Sequence, residues 1–453
     1  MSRLMVSVSG VRGIVGETLT PFEIVKFTSA FAKFCGGGKI IIGRDTRIHS
    51  LFISHLVSGT LLAMGCDVVD ISVCPTPTLQ LAVEHSDASG GIMITASHNP
   101  AEWNGLKFVS EEGIFLTPEQ HKKFVDLVEK NSFKFAEWNS VGRYIQDRSF
   151  IDRHIDKIFQ IDFIDVDKIR ARKFKVVVDC INGAGSEAVP KLLEIFGCDV
   201  IKINCDGNGV FTHEPEPLPE NLTELCEAVK RYNADLGIAV DPDADRLVLV
   251  TEKGEAFGEE YTVVQAVKIV LEKKSKSDSK SVVVNLSTTK AVDEIAKVYN
   301  AKVYRSPVGE INVVRKMKEV GAVIGGEGSG GVIFPDVHYG RDSLVGIALI
   351  LQNLIEFGGR ISEFKETLPK FEIFKTKINI ENVNPDDVLD KVKEVYKDAG
   401  INTDDGVRVD FGDSWIHIRK SNTEPILRII AEARTKKEAE ELVKELRTKL
   451  GLK

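Results

Sequence analysis

Long apolar runs and paired cysteines are both missing from this chain of 453 residues. No window approaches the roughly 18 uninterrupted apolar residues of a membrane-spanning helix, and Met1–Val8 lacks the long apolar core of a signal peptide. The seven cysteines are odd in number and include no Cys-x-x-Cys, so neither a disulfide framework nor a zinc site is indicated. We therefore expect a cytoplasmic protein whose cysteines are mostly reduced and structural.

A surplus of positive charge is missing as well. Asp and Glu number 67 against 59 Lys and Arg, which gives a net charge of -8, and the pI is near 5.7. Affinity for a nucleic-acid backbone comes from concentrated positive charge, so neither nucleic acid nor a membrane is expected as a partner. Small molecules are the expected ligands, and the sequence leaves the oligomeric state open between a monomer and a homodimer.

The chain contains one order of elements three times. Each copy begins with a short strand rich in β-branched residues, continues through a helical segment to a second strand, and ends on a third strand. The first strands are Lys39–Gly43, Phe174–Asp179 and Ser281–Asn285. The third strands are Gly91–Ser97, Gly237–Asp241 and Ala322–Glu327. This alternation predicts sheets covered by helices, with ligands beyond the carboxyl ends of the strands.

The pattern changes after about residue 370. The predicted elements there are a strand over 371–381, a helix over 385–399, strands over 406–420 and 426–433, and a closing helix from Lys436. A chain of this length is too long for one core. The predicted fold class is three tandem α/β domains with mixed sheets, followed by a C-terminal α+β domain. The predicted domains are residues 1–148, 149–253, 254–369 and 370–453.

Three aspartates stand two residues apart in the hexapeptide Asp241-Pro-Asp-Ala-Asp-Arg246, between two hydrophobic stretches. In an extended segment alternate side chains share one face, so Asp241, Asp243 and Asp245 are expected to converge. Three clustered negative charges are unfavourable unless a hard divalent cation neutralises them. Arg246 beside this cage indicates an anionic ligand, such as phosphate, next to the metal.

Other interpretations of the hexapeptide are a solvated acidic turn, an EF-hand and a phosphatase of the haloacid-dehalogenase type. Asp and Pro are ordinary turn residues, so the acidic turn stays open. An EF-hand loop needs glycine at its sixth position, where Arg246 stands, and is excluded. The phosphatase, which also carries Asp-x-Asp after a hydrophobic strand, remains an alternative.

Thr95-Ala-Ser-His-Asn-Pro100 ends the third strand of the first copy. Ser97 is expected in a tight turn with its hydroxyl clear of the sheet, and Lys107 lies one short loop further on. A serine there is usually a turn or cap residue. The aspartate cage favours a nucleophile instead, because phosphoryl transfer needs a metal and a nucleophile positioned in line. Near the amino terminus, Arg12 stands close to two glycines.

Two further loops carry ligand-binding chemistry. In Gly325–Gly331 the glycines permit close approach of the backbone, while Glu327 and Ser329 can bond vicinal hydroxyls. The run Arg419-Lys-Ser-Asn-Thr-Glu-Pro425 combines cations, hydroxyls and an amide, which is typical of a phosphate cradle, and Arg428 follows on the next strand.

Together these motifs resemble the α-D-phosphohexomutase family, whose members interconvert the 1- and 6-phosphates of hexoses. The resemblance covers essentially the whole chain, and the four loops come in the family's order. The family's phosphoserine loop corresponds to Ser97, His98, Asn99 and Pro100, and its magnesium loop to Asp241, Asp243 and Asp245. Its sugar loop corresponds to Glu327 and Ser329. Its distal phosphate loop corresponds to Arg419, Ser421, Asn422 and Thr423.

The resemblance implies an enzyme that needs Mg²⁺ and works through a phosphorylated Ser97. A hexose 1,6-bisphosphate is implied as intermediate and activator, and hexose phosphates as partners. The metal ligands it implies are the three aspartates and Ser97. The catalytic residues it implies are Ser97, His98, Lys107, Arg12, Arg246 and Glu310. The substrate-binding residues it implies are Glu327, Ser329, Arg419, Ser421, Asn422, Thr423 and Arg428.

This sequence departs from the family at two places. Many members end the sugar loop in histidine where this chain has Gly331, so one basic contact is either absent or supplied by His338. Many members also have histidine where this chain has Glu310. The general base is therefore open among Glu310, His98 and Lys107.

Mannose and glucose phosphates are the expected substrates, because Thr95 before Ala96 and Ser97 is similar to glucose and mannose mutases. A phosphoglucosamine mutase is the alternative within the family, since those enzymes more often show serine at that position. From other classes, a metal-dependent sugar-phosphate phosphatase has no need of a distal phosphate cradle. A non-catalytic sugar-phosphate sensor has no need of Ser97 or the aspartates.

Overall fold

The computed structural model describes residues 4–274, 280–379, 384–420 and 426–451. Four sheets follow one another along the chain, and each is built from consecutive strands. The first three contain parallel and antiparallel pairs and the last is antiparallel, so the predicted fold class is confirmed. The domain boundaries near residues 148, 253 and 369 stay predictions. Within the described ranges, no helix is long and apolar enough to cross a membrane.

The first unit has a mixed sheet of seven strands in the order β1-β2-β6-β5-β3-β4-β7. The strands are Met5–Ser7 (β1), Gly10–Ile14 (β2), Lys39–Arg44 (β3), Asp67–Val73 (β4), Gly90–Ile94 (β5), Trp103–Ser110 (β6) and Tyr144–Gln146 (β7). The helices are Pro21–Phe34 (α1), Ser50–Ala63 (α2), Thr76–Glu84 (α3) and Pro118–Lys130 (α4). Since β3 is parallel to β4 and β5, the carboxyl ends of these strands lie at one edge of the sheet.

The second unit has a four-stranded sheet in the order β11-β10-β8-β9. The strands are Lys175–Asp179 (β8), Asp199–Ile203 (β9), Leu236–Val240 (β10) and Leu247–Thr251 (β11). The helices are Phe150–Ile158 (α5), Val166–Arg172 (α6), Gly185–Ile195 (α7) and Thr223–Tyr232 (α8), with a 3₁₀ turn at Pro219–Asn221. Every residue of β10 is buried, as expected of a strand covered on both faces.

The third unit repeats this plan in the order β13-β12-β14-β15. The strands are Ser281–Asn285 (β12), Lys302–Ser306 (β13), Ile324–Glu327 (β14) and Gly331–Ile333 (β15). The helices are Glu259–Lys273 (α9), Ala291–Val298 (α10), Glu310–Val320 (α11), Ser343–Phe357 (α12) and Ile361–Glu366 (α13). The strongly apolar α12 packs against α9 of its own unit and against α5, α6 and α7 of the second. It therefore ties the two units together.

The fourth unit has an antiparallel sheet in the order β16-β20-β19-β18-β17. The strands are Glu372–Asn379 (β16), Gly400–Asn402 (β17), Val407–Asp410 (β18), Trp415–Lys420 (β19) and Ile426–Ala433 (β20), and the helices are Pro385–Val395 (α14) and Lys436–Leu450 (α15). The prediction of one strand over 406–420 is wrong. Gly412, at φ +81°, and a 2.8 Å bond from Phe411 N–H to Ser414 C=O form a turn that divides it in two.

The apolar core is shared unevenly among the units. One continuous cluster joins the second and third units and takes in part of the first, where α3 packs on α5. The fourth unit has a separate cluster between its sheet and its two helices. Polar contacts link it to the third unit, such as the 2.8 Å contact between Ser287 Oγ and His417 Nδ1. The fourth unit is thus packed as a body of its own against the other three.

Candidate active site

A cavity of about 700 Å³ lies where the loops after β5, β10 and β14 meet the sheet of the fourth unit. This is the carboxyl edge of the parallel strands, as the sequence predicts. The predicted residues that line the cavity are Arg12, His98, Lys107, Arg246, Glu310, Glu327, Ser329, Arg419 and Arg428. Ser97 and the three aspartates are buried and contact its lining. Ser421, Asn422 and Thr423 lie outside the described residues.

Ser97 follows β5 in a turn, with its side chain directed to the second unit. Its backbone has φ +50°, and its N–H donates to Thr95 Oγ1 at 2.9 Å. The hydroxyl donates to Asp241 Oδ2 at 2.9 Å and lies 3.4 Å from His98 Nδ1. A positive φ in a residue other than glycine is strained, and such strain is concentrated at functional sites. The turn holds the hydroxyl against the aspartate cluster.

Arg47 supports the backbone of the Ser97 turn. Its guanidinium donates to three backbone carbonyls of the loop, those of Ser97 at 2.7 Å, Asn99 at 2.6 Å and Pro100 at 2.6 Å. Nε of Arg47 donates to Asp45 at 3.1 Å. A buried arginine can satisfy several carbonyls at once because its five N–H groups form a rigid fork. Arg47 therefore fixes the backbone on which Ser97 stands.

The three aspartates meet, but not by alternation along an extended strand, and that part of the prediction is wrong. Asp241–Asp245 is a turn in which Ala244 has φ +53°, and Asp241 Oδ1 accepts from the N–H of Asp245 at 3.1 Å. One oxygen from each of Asp241, Asp243 and Asp245 lies within 4.8 Å of the others. The turn brings the side chains closer together than the two-residue spacing of a strand allows.

The oxygens of this cluster divide into bonded and unbonded ones. Lys107 Nζ donates to Asp243 Oδ2 at 2.6 Å and to Asp245 Oδ2 at 3.2 Å. The Oδ1 atoms of both aspartates are buried and have no hydrogen-bond partner within the described part of the chain. Buried carboxylate oxygens without a partner are costly. Since hard cations such as Mg²⁺ bind carboxylate oxygen, these two atoms and the cluster fit a divalent metal ion.

The surrounding charges treat the aspartates differently. Burial, and then the charges of Asp245 and Asp243, raise the pKa of Asp241 well above its usual range. Burial also acts to raise the pKa of Asp245, but Arg341 and Lys107 outweigh it and hold that pKa below its usual range. A carboxylate that is easily protonated beside one that stays ionised indicates a site that is short of positive charge.

Lys107 and His98 differ in charge. Burial opposes the charge of Lys107, but Asp243 and Asp245 outweigh it and raise the pKa of the ammonium group. Burial, and then Arg246 and Arg12, lower the pKa of His98 well below its usual range. At neutral pH Lys107 is thus a cation, while His98 is a neutral ring with a nitrogen lone pair.

Arg341 joins three carboxylates that come from different segments. Its Nη2 donates to Asp245 at 2.7 Å, its Nη1 to Glu327 at 2.9 Å and its Nε to Glu310 at 3.0 Å. Glu310 is bonded in addition by Gln80 Nε2 at 2.9 Å. Burial is the main cause of a raised pKa at Glu310. The metal loop (Asp241–Asp245) and the sugar loop (Gly325–Gly331) are therefore linked through the guanidinium of Arg341.

His338 does not supply a basic contact to the cavity, so that alternative is wrong. The residue is 1% exposed, and its Nε2 lies 3.0 Å from Asp342 Oδ2, which is also 2.8 Å from His154 Nε2. Asp342 in turn caps α12. Because Asp342 needs both donors to be satisfied, His338 is held in the core at the start of α12.

Arg12 and Arg246 place two more cations at the Ser97 end. Arg12 Nη1 donates to Asn99 Oδ1 at 2.9 Å, and Arg246 Nη1 donates to Glu216 Oε1 at 3.1 Å. Nε of Arg246 is buried and has no hydrogen-bond partner among the described residues. Both guanidinium groups line the cavity and are available to an anion there.

The opposite end of the cavity is a row of cations on three neighbouring strands. Arg419 of β19 stands opposite Arg428 of β20, which stands opposite Lys377 of β16. All three line the cavity. Like charges directly opposite in a sheet are destabilising, and burial and then the charge of Arg428 contribute to lowering the pKa of Arg419. Such a row is stabilised by an anion bound between its members.

Models of all four domains of one family match the chain in order. These are phosphoglucomutase/phosphomannomutase alpha/beta/alpha domain I at residues 3–135, domain II at 152–254, domain III at 258–371 and the C-terminal domain at 378–449. The chain belongs to the phosphoglucomutase/phosphomannomutase family. The predicted resemblance to the phosphohexomutases, and the enzyme class of an intramolecular phosphotransferase, are thereby confirmed.

Curated relatives of this phosphohexomutase have names that differ in the sugar. A probable phosphoglucosamine mutase of Methanopyrus kandleri is 37% identical over 439 residues, covering 96% of this chain and 95% of that protein. A phosphoglucomutase/phosphomannomutase of Thermococcus kodakarensis is 38% identical over 452 residues, covering 98% and 96%. A phosphoglucosamine/phosphogalactosamine mutase of Sulfurisphaera tokodaii is 34% identical over 446 residues, covering 97% of each.

Solved structures share the fold of the phosphohexomutase over its whole length. A phosphoglucomutase/phosphomannomutase family protein from Burkholderia thailandensis has a TM-score of 0.85 at 26% identity, covering 98% of each chain. The N-acetylphosphoglucosamine mutase of Aspergillus fumigatus, in complex with GlcNAc-6P and magnesium, has a TM-score of 0.63 at 15% identity, covering 99% of this chain and 96% of that one.

Several residues of the phosphohexomutase cavity were not singled out from the sequence. Arg341, Lys375, Lys377 and Glu260 line it, and Arg47, which the sequence shows only as one more basic residue, supports it. Lys375 and Lys377 alternate along β16, which would have placed them on one face. No local pattern indicates Arg341, because its position depends on the packing of three separate segments.

Proposed function

We propose that this protein interconverts hexose 1-phosphates and hexose 6-phosphates through a phosphorylated Ser97. One observation carries the proposal. The Ser97 hydroxyl lies 2.9 Å from Asp241 of the aspartate cluster, at one end of a cavity whose other end presents Arg419 and Arg428. A phosphoryl donor with a metal site, facing a separate phosphate site, suits a substrate that carries phosphate at one end and accepts it at the other.

The aspartates and Ser97 are assigned to magnesium. Asp241, Asp243 and Asp245 would hold Mg²⁺, with Ser97 or its phosphate as a further oxygen ligand. When bound, the ion neutralises negative charge on the phosphoryl group that is transferred. Lys107, held as a cation between Asp243 and Asp245, adds positive charge at the same place. The unbonded Oδ1 atoms of those two aspartates support this assignment.

The first transfer moves the phosphoryl group from Ser97 to the free 1- or 6-hydroxyl of a hexose monophosphate. The bond between phosphorus and Ser97 Oγ breaks, and a bond to the sugar oxygen forms. Arg12 and Arg246 are placed to stabilise the charge that spreads over the phosphoryl oxygens. The product is a hexose 1,6-bisphosphate, which serves as intermediate and, supplied from outside, as activator.

The sugar hydroxyl must lose a proton in that step. Lys107 is the least suitable of the three candidate bases, because its pKa is raised and its amine is held charged. His98 is a neutral ring 3.4 Å from Ser97 Oγ, and Glu310 is an acceptor in the cavity lining. We assign the base to one of these two, and comparing His98→Gln with Glu310→Gln in single-turnover transfer from phosphorylated protein decides between them.

The bisphosphate then turns over before its second phosphate returns to Ser97. Glu327 and Ser329 line the cavity and can bond the central hydroxyls of a hexose in either orientation. The row Arg419, Arg428 and Lys377 binds whichever phosphate does not react. We place Ser421, Asn422 and Thr423 in the same phosphate loop on the resemblance alone.

Glucose and mannose phosphates are the first candidate substrates, and glucosamine phosphate is the second. Glu260 favours the second. It lies 8% exposed in the cavity lining, beside Gly328 of the sugar loop, and one of its oxygens accepts a 3.0 Å bond from the N–H of Thr289. Burial favours the neutral acid at Glu260, but a carboxyl oxygen there can accept a hydrogen bond from an ammonium group on carbon 2, and the charge of that group would favour the ionised form. The glucosamine names of two relatives are consistent with this.

A panel of four sugar phosphates tests the proposal. Glucose, mannose, glucosamine and N-acetylglucosamine 1-phosphates are each supplied with Mg²⁺ and a trace of the matching bisphosphate, and 6-phosphate and inorganic phosphate are measured. We expect isomerisation to exceed phosphate release by far for at least one sugar. Phosphate release that outruns isomerisation for all four would establish the sugar-phosphate phosphatase instead. Binding without either reaction would establish a sensor.

A further inference from the structure

Position 331, at the end of the sugar loop, has no room for a side chain. A Cβ added to Gly331 would lie 2.3 Å from Cδ and 2.9 Å from Cγ of Arg341. Contacts this short force one of the two groups to move. The stem of Arg341 therefore occupies the space into which any side chain at 331 would project.

The side chain of Arg341 reaches the cavity through the space beside Gly331. Its stem passes Gly331, its side chain is 11% exposed, and its guanidinium ends between Asp245, Glu327 and Glu310 at distances of 2.7, 2.9 and 3.0 Å. It also lines the cavity. Arg341 lies ten residues after Gly331 in the sequence, so the cation beside Gly331 is supplied by a different segment of the chain.

The bonding of the carboxylates shows what the guanidinium does there. Asp245 uses Oδ2 for Arg341 and Lys107 and keeps Oδ1 unbonded among the described residues. Glu327 uses Oε2 for Arg341 and Oε1 for Asn285 at 2.8 Å. Arg341 and Lys107 thus occupy the same oxygen of Asp245 and leave the other free, and Arg341 holds Glu327 together with Asn285 and the N–H of Gly309. Without it, three buried carboxylates would face one another with less opposing charge.

We propose that Arg341 is a positioning residue that replaces a basic side chain at position 331 and couples the metal loop to the sugar loop. The small residue at 331 and the arginine at 341 then form one unit, because the arginine in this position leaves no room for a side chain at 331. This inference rests on the proposed function for its effect on sugar binding, but its effects on metal binding and on stability do not depend on that function.

A double-mutant cycle tests the unit with Arg341→Ala, Gly331→His and the combination of both. Gly331→His alone should lower the midpoint of thermal unfolding, because the new Cβ meets the Arg341 stem. Arg341→Ala alone should weaken Mn²⁺ binding, measured by electron paramagnetic resonance, about 10-fold and raise KM for the best sugar phosphate about 10-fold. In the combination, the histidine should fit, restoring the unfolding midpoint and part of the KM.

Two comparisons keep the cycle decisive. Arg341→Lys retains the charge but cannot reach three carboxylates, so it should bind Mn²⁺ about as weakly as Arg341→Ala does. A role as simple counter-charge predicts instead wild-type affinity for Arg341→Lys and tighter binding for Arg341→Ala, because a competing cation is lost. Arg315→Gln, on the exposed side of α11, should change none of the quantities. The proposal is overturned if the effects of the two single variants on stability and KM simply add. If no sugar phosphate is isomerised but the stability and Mn²⁺ results hold, the proposed function fails and the coupling stands.

Discussion

At the Ser97 end of the cavity, charged side chains are paired with partners from other loops, whereas at the Arg419 end cations line up on adjacent strands. Ser97, Asp245 and Glu327 each contact a residue of a different unit or segment. Arg419, Arg428 and Lys377 stand opposite one another across β19, β20 and β16. The first end is already bonded in the absence of substrate, and we expect the second to be completed by an anion.

This difference matches the way each end is supported. The Ser97 end belongs to three units that share a continuous core, and the Arg419 end belongs to the fourth unit, which has its own core. Groups that take part in phosphoryl transfer gain from being held rigidly. Under the proposed function, groups that receive either end of the reorienting bisphosphate gain from a support that can adjust. Variants at each end should therefore fail in different ways.

The largest expected effect is that of Ser97→Ala. We expect turnover to fall by at least about three orders of magnitude, because the nucleophile is lost, with little change in unfolding temperature. Intact-protein mass spectrometry should find one phosphate on Ser97 in part of the wild-type protein and none in the variant. An active Ser97→Ala protein, or phosphate located on another residue, contradicts the assignment, and Ser140→Ala, at an exposed turn, serves as control.

Asp243→Asn should have the next largest effect. It removes one of three charges from the cage and weakens one of the two ion pairs of Lys107. The maximal rate should therefore fall about 10- to 100-fold, and the Mg²⁺ concentration that gives half of the maximal rate should rise. Titration of activity with Mg²⁺ measures both. If wild-type activity persists in excess chelator, the aspartates bind no catalytic metal and form only an acidic turn. The control Asp167→Asn, at a side chain that is 95% exposed, should show the Mg²⁺ dependence of the wild type.

Arg419→Ala should damage binding and retention more than chemistry. Loss of a charge-assisted contact should raise KM about 10- to 100-fold, and bisphosphate or inorganic phosphate should leak into the medium. Lys437→Ala, at a side chain 85% exposed, is the control and should alter neither quantity. If Arg419→Ala leaves KM and leakage at wild-type levels, the distal phosphate site lies elsewhere and the contrast between the two ends disappears.

The smallest expected effect concerns Glu260, between the two ends. Burial raises the pKa of Glu260 from 4.5 to about 8, so the folded protein binds this proton more tightly than the unfolded chain. Its contribution to the free energy of unfolding is full below pH 4.5 and is lost as the pH rises towards 8, by at most about 1.4 kcal/mol per pH unit. Denaturant unfolding of Glu260→Gln should show a shallower decline over that window, and Glu441→Gln should follow the wild type.

The sequence indicated the loops of the Ser97 end because strand order determines where they meet. Asp241, Ser97 and Glu327 each follow the third strand of a unit, and parallel strands bring their carboxyl ends to one edge. Resemblance then supplied Arg419 and Arg428. The turn geometry of the aspartates was not predicted, because it depends on a positive φ at Ala244. Alanine does not favour that conformation, so the sequence gives no sign of it.

The contacts that link segments could not be predicted in the same way. Arg47 bonds carbonyls about fifty residues further along the chain, and Arg341 bonds Asp245 across almost a hundred. Neither residue belongs to a periodic pattern in the sequence. Each side chain fills a space that forms only after several units have packed. For the same reason His338, a plausible ligand by residue type, is bonded within the core.

The left-handed backbone of Ser97 has a consequence for how this position changes in evolution. A serine at φ +50° is less stable there than a glycine, which adopts that conformation without strain, by about 1 kcal/mol. Ser97→Gly relieves this strain but also removes the 2.9 Å hydrogen bond to Asp241, so the variant should be inactive with an unfolding midpoint close to that of the wild type. Under the proposed function, a lineage that no longer needed turnover would be free to lose this hydroxyl, so its retention would reflect selection for activity.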